Sequence, residues 1–263
     1  MRIYKIFVFI IIFLKFSIIS FCERINIGVI GEINETVNLS NHEGNMALLS
    51  DLLFNSGLNK NRNNSYIPDI IENVEFSGNS YKITLNRNVA FWDGTEVTSS
   101  IFKEDLLNKK FFTSDEIQVQ NRYTLIISPK RLQIYTYDFL CTKLIKMPAP
   151  ASPQAFLTNN YQGTGPFTVK EFNENRIILI KNSKYFKGKP KVDEIGLLFY
   201  KSYYDEFSAL MRGEIDLIYL AGNSQVKWLR ENSDFKIIDI SFPFFITLRF
   251  NFNSAYPLSL EQR

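Results

Sequence analysis

Residues 163–181, GTGPFTVKEFNENRIILIK, leave the backbone few paths to follow. Pro166 lacks an N–H and holds φ at about −65°, so no regular helix runs through it. A phosphate loop of the Walker type also needs glycine, four residues and Gly-Lys-Ser/Thr opening a helix. Here the residues after Pro166 keep period 2, and Asn173-Glu174-Asn175 separates two strand-like runs. Gly163-Thr164-Gly165 therefore reads as a turn feeding a β-hairpin. The lysines from Lys181 to Lys191 read as a solvated loop, not an anion site.

Other stretches extend the pattern. RINIGVI alternates Ile25, Ile27 and Val29 as a first strand ending at Gly31. A helix starting at Asn45 would carry Met46, Leu49, Leu52 and Leu53 on one side and stop at Gly57. NKNRNNSY (59–66) reads as an exposed loop. Tyr81, Ile83 and Leu85 alternate before the Asp93-Gly94 turn pair, and RYTLIISP (122–129) is a β run halted by Pro129. MPAPASP (147–153) is too rich in proline for regular helix, and VDEIGLLFY continues the sheet.

In residues 202–220 the period changes. Phe207, Leu210 and Met211 follow helical spacing, Gly213 takes the position just past the helix end, and Ile215, Leu217 and Tyr219 resume strand spacing. A second short helix is expected over 224–232, with Val226 and Leu229 inward, then strands at 235–240 and 244–252. The expected fold class is α/β with a mixed β-sheet.

Residues 1–22, MRIYKIFVFIIIFLKFSIISFC, begin with Arg2 and Lys5 and hold no acid, which reads as a secretory signal peptide and implies export. Lys15 breaks the apolar run well short of the roughly 20 residues that span a bilayer. The formal charge of +3 belongs to Arg2, Lys5 and Lys15, so residues 23–263 are balanced, which argues against nucleic acid as a partner. Cys22 stays open between ordinary cleavage after it and lipidation, because Ile19-Ser20-Phe21-Cys22 resembles a bacterial lipobox with Phe21 in a place usually held by a small residue. Cys141 reads as a small buried hydrophobe, and no disulfide framework is expected.

Catalytic signatures are thin. His42 is the single histidine, in a loop-like context, and no nucleophile elbow accompanies it, so neither a metal site nor a triad is expected. Asp193-Glu194 and Asp205-Glu206 read as solvated or helix-capping acids. No cofactor is implied. Two groups are candidates for lining a ligand cleft: Glu32 and Asn34 after the first strand, where ligands of open α/β sheets sit, and Thr247, Arg249 and Asn251 on the polar face of FPFFITLRFNF.

Four stretches in order resemble the family 5 extracellular solute-binding proteins, the oligopeptide-, dipeptide- and nickel-binding components of ABC importers. YKITLNRNVAFWDGTEVTSS (81–100) is similar to their strand-turn signature through Leu85, Arg87, Phe91, Asp93, Gly94 and Thr98. GTGPFTVKEF with NSKYFKGKPKVDEI (163–195) resembles their Gly-Thr-Gly-Pro-aromatic hairpin and Asn-x-x-Tyr-x-x-Gly-Lys-Pro segment. ALMRGEIDLIYL (209–220) and LRFNFNSAYPL (248–258) resemble the following helix-Gly-strand and the strand entering a second lobe.

The insertion after Thr98 is shorter than in the family, and the chain ends at Arg263, where the second lobe of members about twice as long would begin. The resemblance implies a first lobe of the type II periplasmic-binding-protein fold over 23–263, second lobe absent. It implies no enzyme. The ligand would be a peptide or other small solute, the partner an ABC permease in the cytoplasmic membrane, and the location the periplasm or cell surface. A surface interaction or adhesion protein reusing the lobe, and a truncated non-functional remnant, stand as alternatives.

Overall fold

The computed structural model describes residues 23–31, 45–61, 63–130, 135–146, 162–219, 221–231 and 235–239. β1 (Arg24–Ile30) occupies an inner position of a five-stranded sheet, parallel to β10 (Glu194–Tyr200) on one side and to β11 (Leu217–Ile218) on the other. β10 continues antiparallel to β9 (Arg176–Lys181), and β9 to β8 (Phe167–Asn173), so the sheet is mixed, as expected.

β8 and β9 form the expected hairpin. Asn173 faces Arg176, and the Asn173 side chain accepts from the backbone N–H of Asn175 and of Arg176, which sets the turn. The alternation of β1 divides its residues between two layers. Ile27 and Val29 join a core with Leu49, Leu53 and Phe54 of the α1 (Asn45–Leu53) region and with Phe167, Ile177 and Leu179. Gly28 turns to the opposite face, against α4 (Tyr203–Met211).

α4 opens on Ser202, whose hydroxyl caps it by accepting from the Asp205 N–H and donates to the Asp205 carboxylate, an exposed acid of the first turn. It closes on Gly213 at φ +72°. The Gly213 N–H donates to the Leu210 carbonyl and the Glu214 N–H to that of Ala209, the six-to-one and five-to-two bonds of a glycine-terminated helix. The buried face is not the expected apolar one. Glu206 and Ala209 are buried, whereas Met211 is 46% exposed.

A second sheet, β4 (Ile71–Ser77), β5 (Ser80–Leu85), β7 (Thr124–Ile127) and β6 (Ile117–Asn121), is antiparallel throughout in the order β4-β5-β7-β6. Tyr81, Ile83 and Leu85 are buried as their alternation requires. Asp93-Gly94 turns the chain with Gly94 at φ +84°, and Phe91 N–H donates to the Thr95 carbonyl.

Helix α2 (Ser99–Asn108) packs on β6 and β7, capped by the Thr98 hydroxyl, and α3 (Thr136–Leu140) follows; neither stood out in the sequence pattern. NKNRNNSY is not simply a loop, because β2 (Leu58–Lys60) pairs with β3 (Tyr66–Pro68) at its two ends. Gly57 does not terminate α1. It lies beyond the helix end, in a place where a Cβ would meet the Leu140 carbonyl at 2.7 Å.

Residues 222–239 are a separate unit. In it α5 (Asn223–Arg230) begins after Gly222, whose N–H donates to Gln225 Oε1, and Arg230 pairs with Asp239 at 2.6 Å. Residues 235–239 are irregular and not the expected strand. The expected strand at 244–252 and the 147–153 crossing lie outside the described residues. No helix among the described residues is long and apolar enough to cross a membrane.

Candidate functional site

Residues 54–57, 143–146 and 162–166 run side by side between the two sheets. Leu144 N–H donates to the Asn55 carbonyl, Ser56 bridges Lys143, and Lys146 exchanges backbone bonds with Gln162. Lys109 at the end of α2 reaches the Lys143 carbonyl at 2.6 Å while pairing with buried Asp105, whose carboxyl is raised by burial.

The Gly163-Thr164-Gly165 stretch is irregular, and the chain bends at Gly165-Pro166 before entering β8. Its glycines serve close approach: a Cβ on Gly163 would lie 2.3 Å from the Leu53 carbonyl oxygen, and one on Gly165 2.4 Å from the Leu53 carbonyl carbon. Gly165 N–H donates to that Leu53 carbonyl, satisfying an orphan acceptor at the α1 terminus, and Gly163 O accepts from Trp92. The amide a phosphate would need is already bonded.

Thr164 is buried and its hydroxyl meets Asn55. The Asn55 amide donates to Asp69 Oδ1 at 2.9 Å and to the Tyr185 hydroxyl at 3.0 Å. Asp69, nearly fully buried, also accepts from Ser56 N–H and the Asn59 amide and pairs with Lys187 at 2.5 Å. Lys187 is therefore not merely solvated: from the β9–β10 connection it neutralises a carboxylate in the link between β3 and β4. Lys181 likewise pairs with Asp193, and Lys170 with Glu194, so those adjacent acids are ion-paired.

Beside this crossing lies a cavity of about 760 Å³, into which Lys60, Lys143 and Lys187 bring positive charge and Asp51, Asp69 and Asp138 negative charge. Lys60 pairs with Asp138, which also accepts from the Tyr66 hydroxyl at 3.0 Å, and Lys143 pairs with Asp51 at 2.6 Å. Cys141 on its wall is half-buried, and burial pushes its thiol up to about 11, which makes it slow to react.

The parallel strands β1, β10 and β11 end on one edge of the five-stranded sheet, where Gly31 N–H donates to the Tyr200 carbonyl. Glu32 and Asn34 follow Gly31 in the chain. They lie outside the described residues, as do Cys22, His42, Thr247, Arg249 and Asn251. Among the described residues no three His, Cys, Asp or Glu side chains gather as metal ligands. Asn55, Asp69 and Lys187 were not singled out by residue pattern. The signal for them was the Asn182-x-x-Tyr185 segment, which places Tyr185 and Lys187 against Asn55 and Asp69.

Compared with known proteins, residues 65–260 match the family described as bacterial extracellular solute-binding proteins, family 5 middle. The chain belongs to this family. It is 25% identical over 167 residues to the nickel-binding protein NikA of Staphylococcus aureus, covering 59% of this chain and 33% of that protein. Among solved structures it is similar to NikZ from Campylobacter jejuni in complex with Ni(L-His), with a TM-score of 0.67 and 18% identity, over 81% of this chain and 46% of that one. It is also similar to the oligopeptide-binding protein AppA from Bacillus subtilis in complex with a nonapeptide, with a TM-score of 0.65 and 18% identity, over 82% and 47%. The fold is thus that of these periplasmic-binding-type proteins. The chain spans about half the length of these solved relatives and a third of the curated one.

Proposed function

We propose that this chain is the solute-binding component of an ABC importer. It is exported by residues 1–22, folds over 23–263 as a first lobe, and presents a peptide or similar small solute to a permease in the cytoplasmic membrane. The role is binding and delivery, with no covalent chemistry. The observation that carries the reading is family membership over 65–260 together with β1 lying parallel between β10 and β11. Loops beyond the carboxyl ends of parallel strands are the usual ligand edge of an α/β sheet, and Glu32 and Asn34 follow β1 in the sequence, with Thr247, Arg249 and Asn251 as further candidates. The family's peptide- and nickel-binding relatives define the solutes to try first. Cys22 would add a lipid anchor if it becomes the first residue of the mature chain.

Thermal unfolding of the purified chain against a peptide library and against Ni(II) with L-histidine tests this. A solute present at 100 times its Kd stabilises by about 2.7 kcal/mol, a rise of roughly 5–10 °C for a domain of this size. A folded monomer unmoved by every peptide and by the nickel mixture refutes the transport reading and favours a surface interaction role.

A further inference from the structure

The cavity at the inter-sheet crossing has a charge pattern that selects its occupant. Its six charged side chains are three ammonium groups and three carboxylates, so the lining is neutral as a whole. A ligand of one sign would add an uncompensated charge to a partly desolvated space, which is costly. A ligand carrying one ammonium and one carboxylate leaves the balance unchanged. The volume of about 760 Å³ lies within the range of small-molecule pockets, roughly 300–1,000 Å³.

The three ion pairs are not equally available. Asp69 is saturated by Asn55, Ser56, Asn59 and Lys187, and Asp138 holds both Lys60 and Tyr66. Lys143 differs: its side chain is 9% exposed, while its partner Asp51 is 65% exposed and sits on the solvent side of α1. An ammonium has three donors, and a single exposed carboxylate is a weak claim on them. Exchange at this pair costs least, because Asp51 can take a ligand ammonium while Lys143 takes a ligand carboxylate.

We propose that this cavity is a second solute site, distinct from the strand-end edge, which binds a small zwitterion such as a free α-amino acid. The carboxylate lies on Lys143 and the ammonium on Asp51. The walls come from α1 with Asp51, the β9–β10 connection with Tyr185 and Lys187, β2 with Lys60, the β3–β4 link with Asp69 and α3 with Asp138.

Calorimetric titration of the purified chain with L-alanine, sodium acetate and methylammonium chloride tests the charge rule, and Cys141 alkylation read by peptide mass spectrometry locates the site. L-alanine is expected to bind and to slow Cys141 alkylation at least threefold, with acetate and methylammonium doing neither. Lys143→Met and Asp51→Asn should each weaken L-alanine at least tenfold. Asp51, being exposed, keeps the test valid if Lys143→Met fails to fold. Acetate binding as well as L-alanine, or no zwitterion binding with Cys141 unprotected, overturns the proposal. A ligand lost on Glu32→Gln but kept in both cavity variants also overturns it, and in that case the strand-end reading survives.

Discussion

Glu206 should make the stability of the chain fall as pH rises towards neutrality. It sits on α4 fully buried against β1, in a space that exists because residue 28 is glycine. A Cβ there would lie 2.9 Å from the Glu206 Cγ and 2.6 Å from the Ile215 Cδ1. Among the described residues neither carboxyl oxygen has a hydrogen-bond partner. Burial therefore lifts the acid from its ordinary 4.5 to about 7.

The folded chain holds this proton more tightly than the unfolded chain. The stabilising contribution is fully present below about pH 4.5 and is lost as pH rises through about 7. A difference of that size corresponds to about 3 kcal/mol between the two limits. Tyr200 is the titratable neighbour, its phenol raised first by burial and further by Glu214 and Glu206; it stays neutral across this window.

Glu206→Gln keeps the shape and removes the titration. Urea unfolding followed by far-ultraviolet circular dichroism at pH 4.5 and pH 8 should show the variant matching the parent within about 1 kcal/mol at the lower pH, since both bury a neutral polar group. At pH 8 it should exceed the parent by about 3 kcal/mol, a rise of roughly 6–12 °C in Tm. Parallel pH profiles of parent and variant would show that Glu206 is not the titrating group and would refute the reasoning.

Two further substitutions test the crossing, each against a control elsewhere in the chain. Gly165→Ala drives a Cβ into the Leu53 backbone and should cost about 3 kcal/mol or prevent folding. Gly213→Ala, where φ is +72° and the space is open, should cost about 1 kcal/mol from backbone strain alone. Equal costs in thermal melts would mean that close approach is not what Gly165 provides. Asp69→Ala leaves Lys187, Asn55 and Asn59 without their acceptor and should cost about 3 kcal/mol, more than Glu75→Ala at the exposed Lys82 pair, at about 0.5 kcal/mol. If the two melt alike, the Asp69 network does not hold the sheets together.

Local pattern carried much of the architecture. Period 2 with Asn173-Glu174-Asn175 defined the β8–β9 hairpin, Gly213 marked the switch from α4 to β11, and Asp93-Gly94 marked a turn. These features depend on neighbours within a few residues. α2 and α3 were harder to read, because both are short, ten and five residues, and tertiary packing supplies their stability.

The candidate site was less legible than the fold. The pair Asp205-Glu206 shows why. Both are acids in the first turn of one helix, yet Asp205 stands in solvent beside the Ser202 cap and Glu206 is sealed against Gly28. Helical spacing pointed Phe207, Leu210 and Met211 inward, but the small Ala209 and Gly28 let helix and strand approach along a different face.

By itself the sequence determined the strand periods, the turns, the α/β class and the order of motifs that places the chain in its family. Tertiary structure alone decided that Gly163 and Gly165 serve close packing on α1, that Lys187 neutralises Asp69 across the crossing, and that Glu206 is buried without a partner. Dihedral preferences and periodicity act over a few bonds and can be read along the chain. Burial, charge pairing and close approach depend on which distant segment arrives, as Thr164 meets Asn55 across 109 positions.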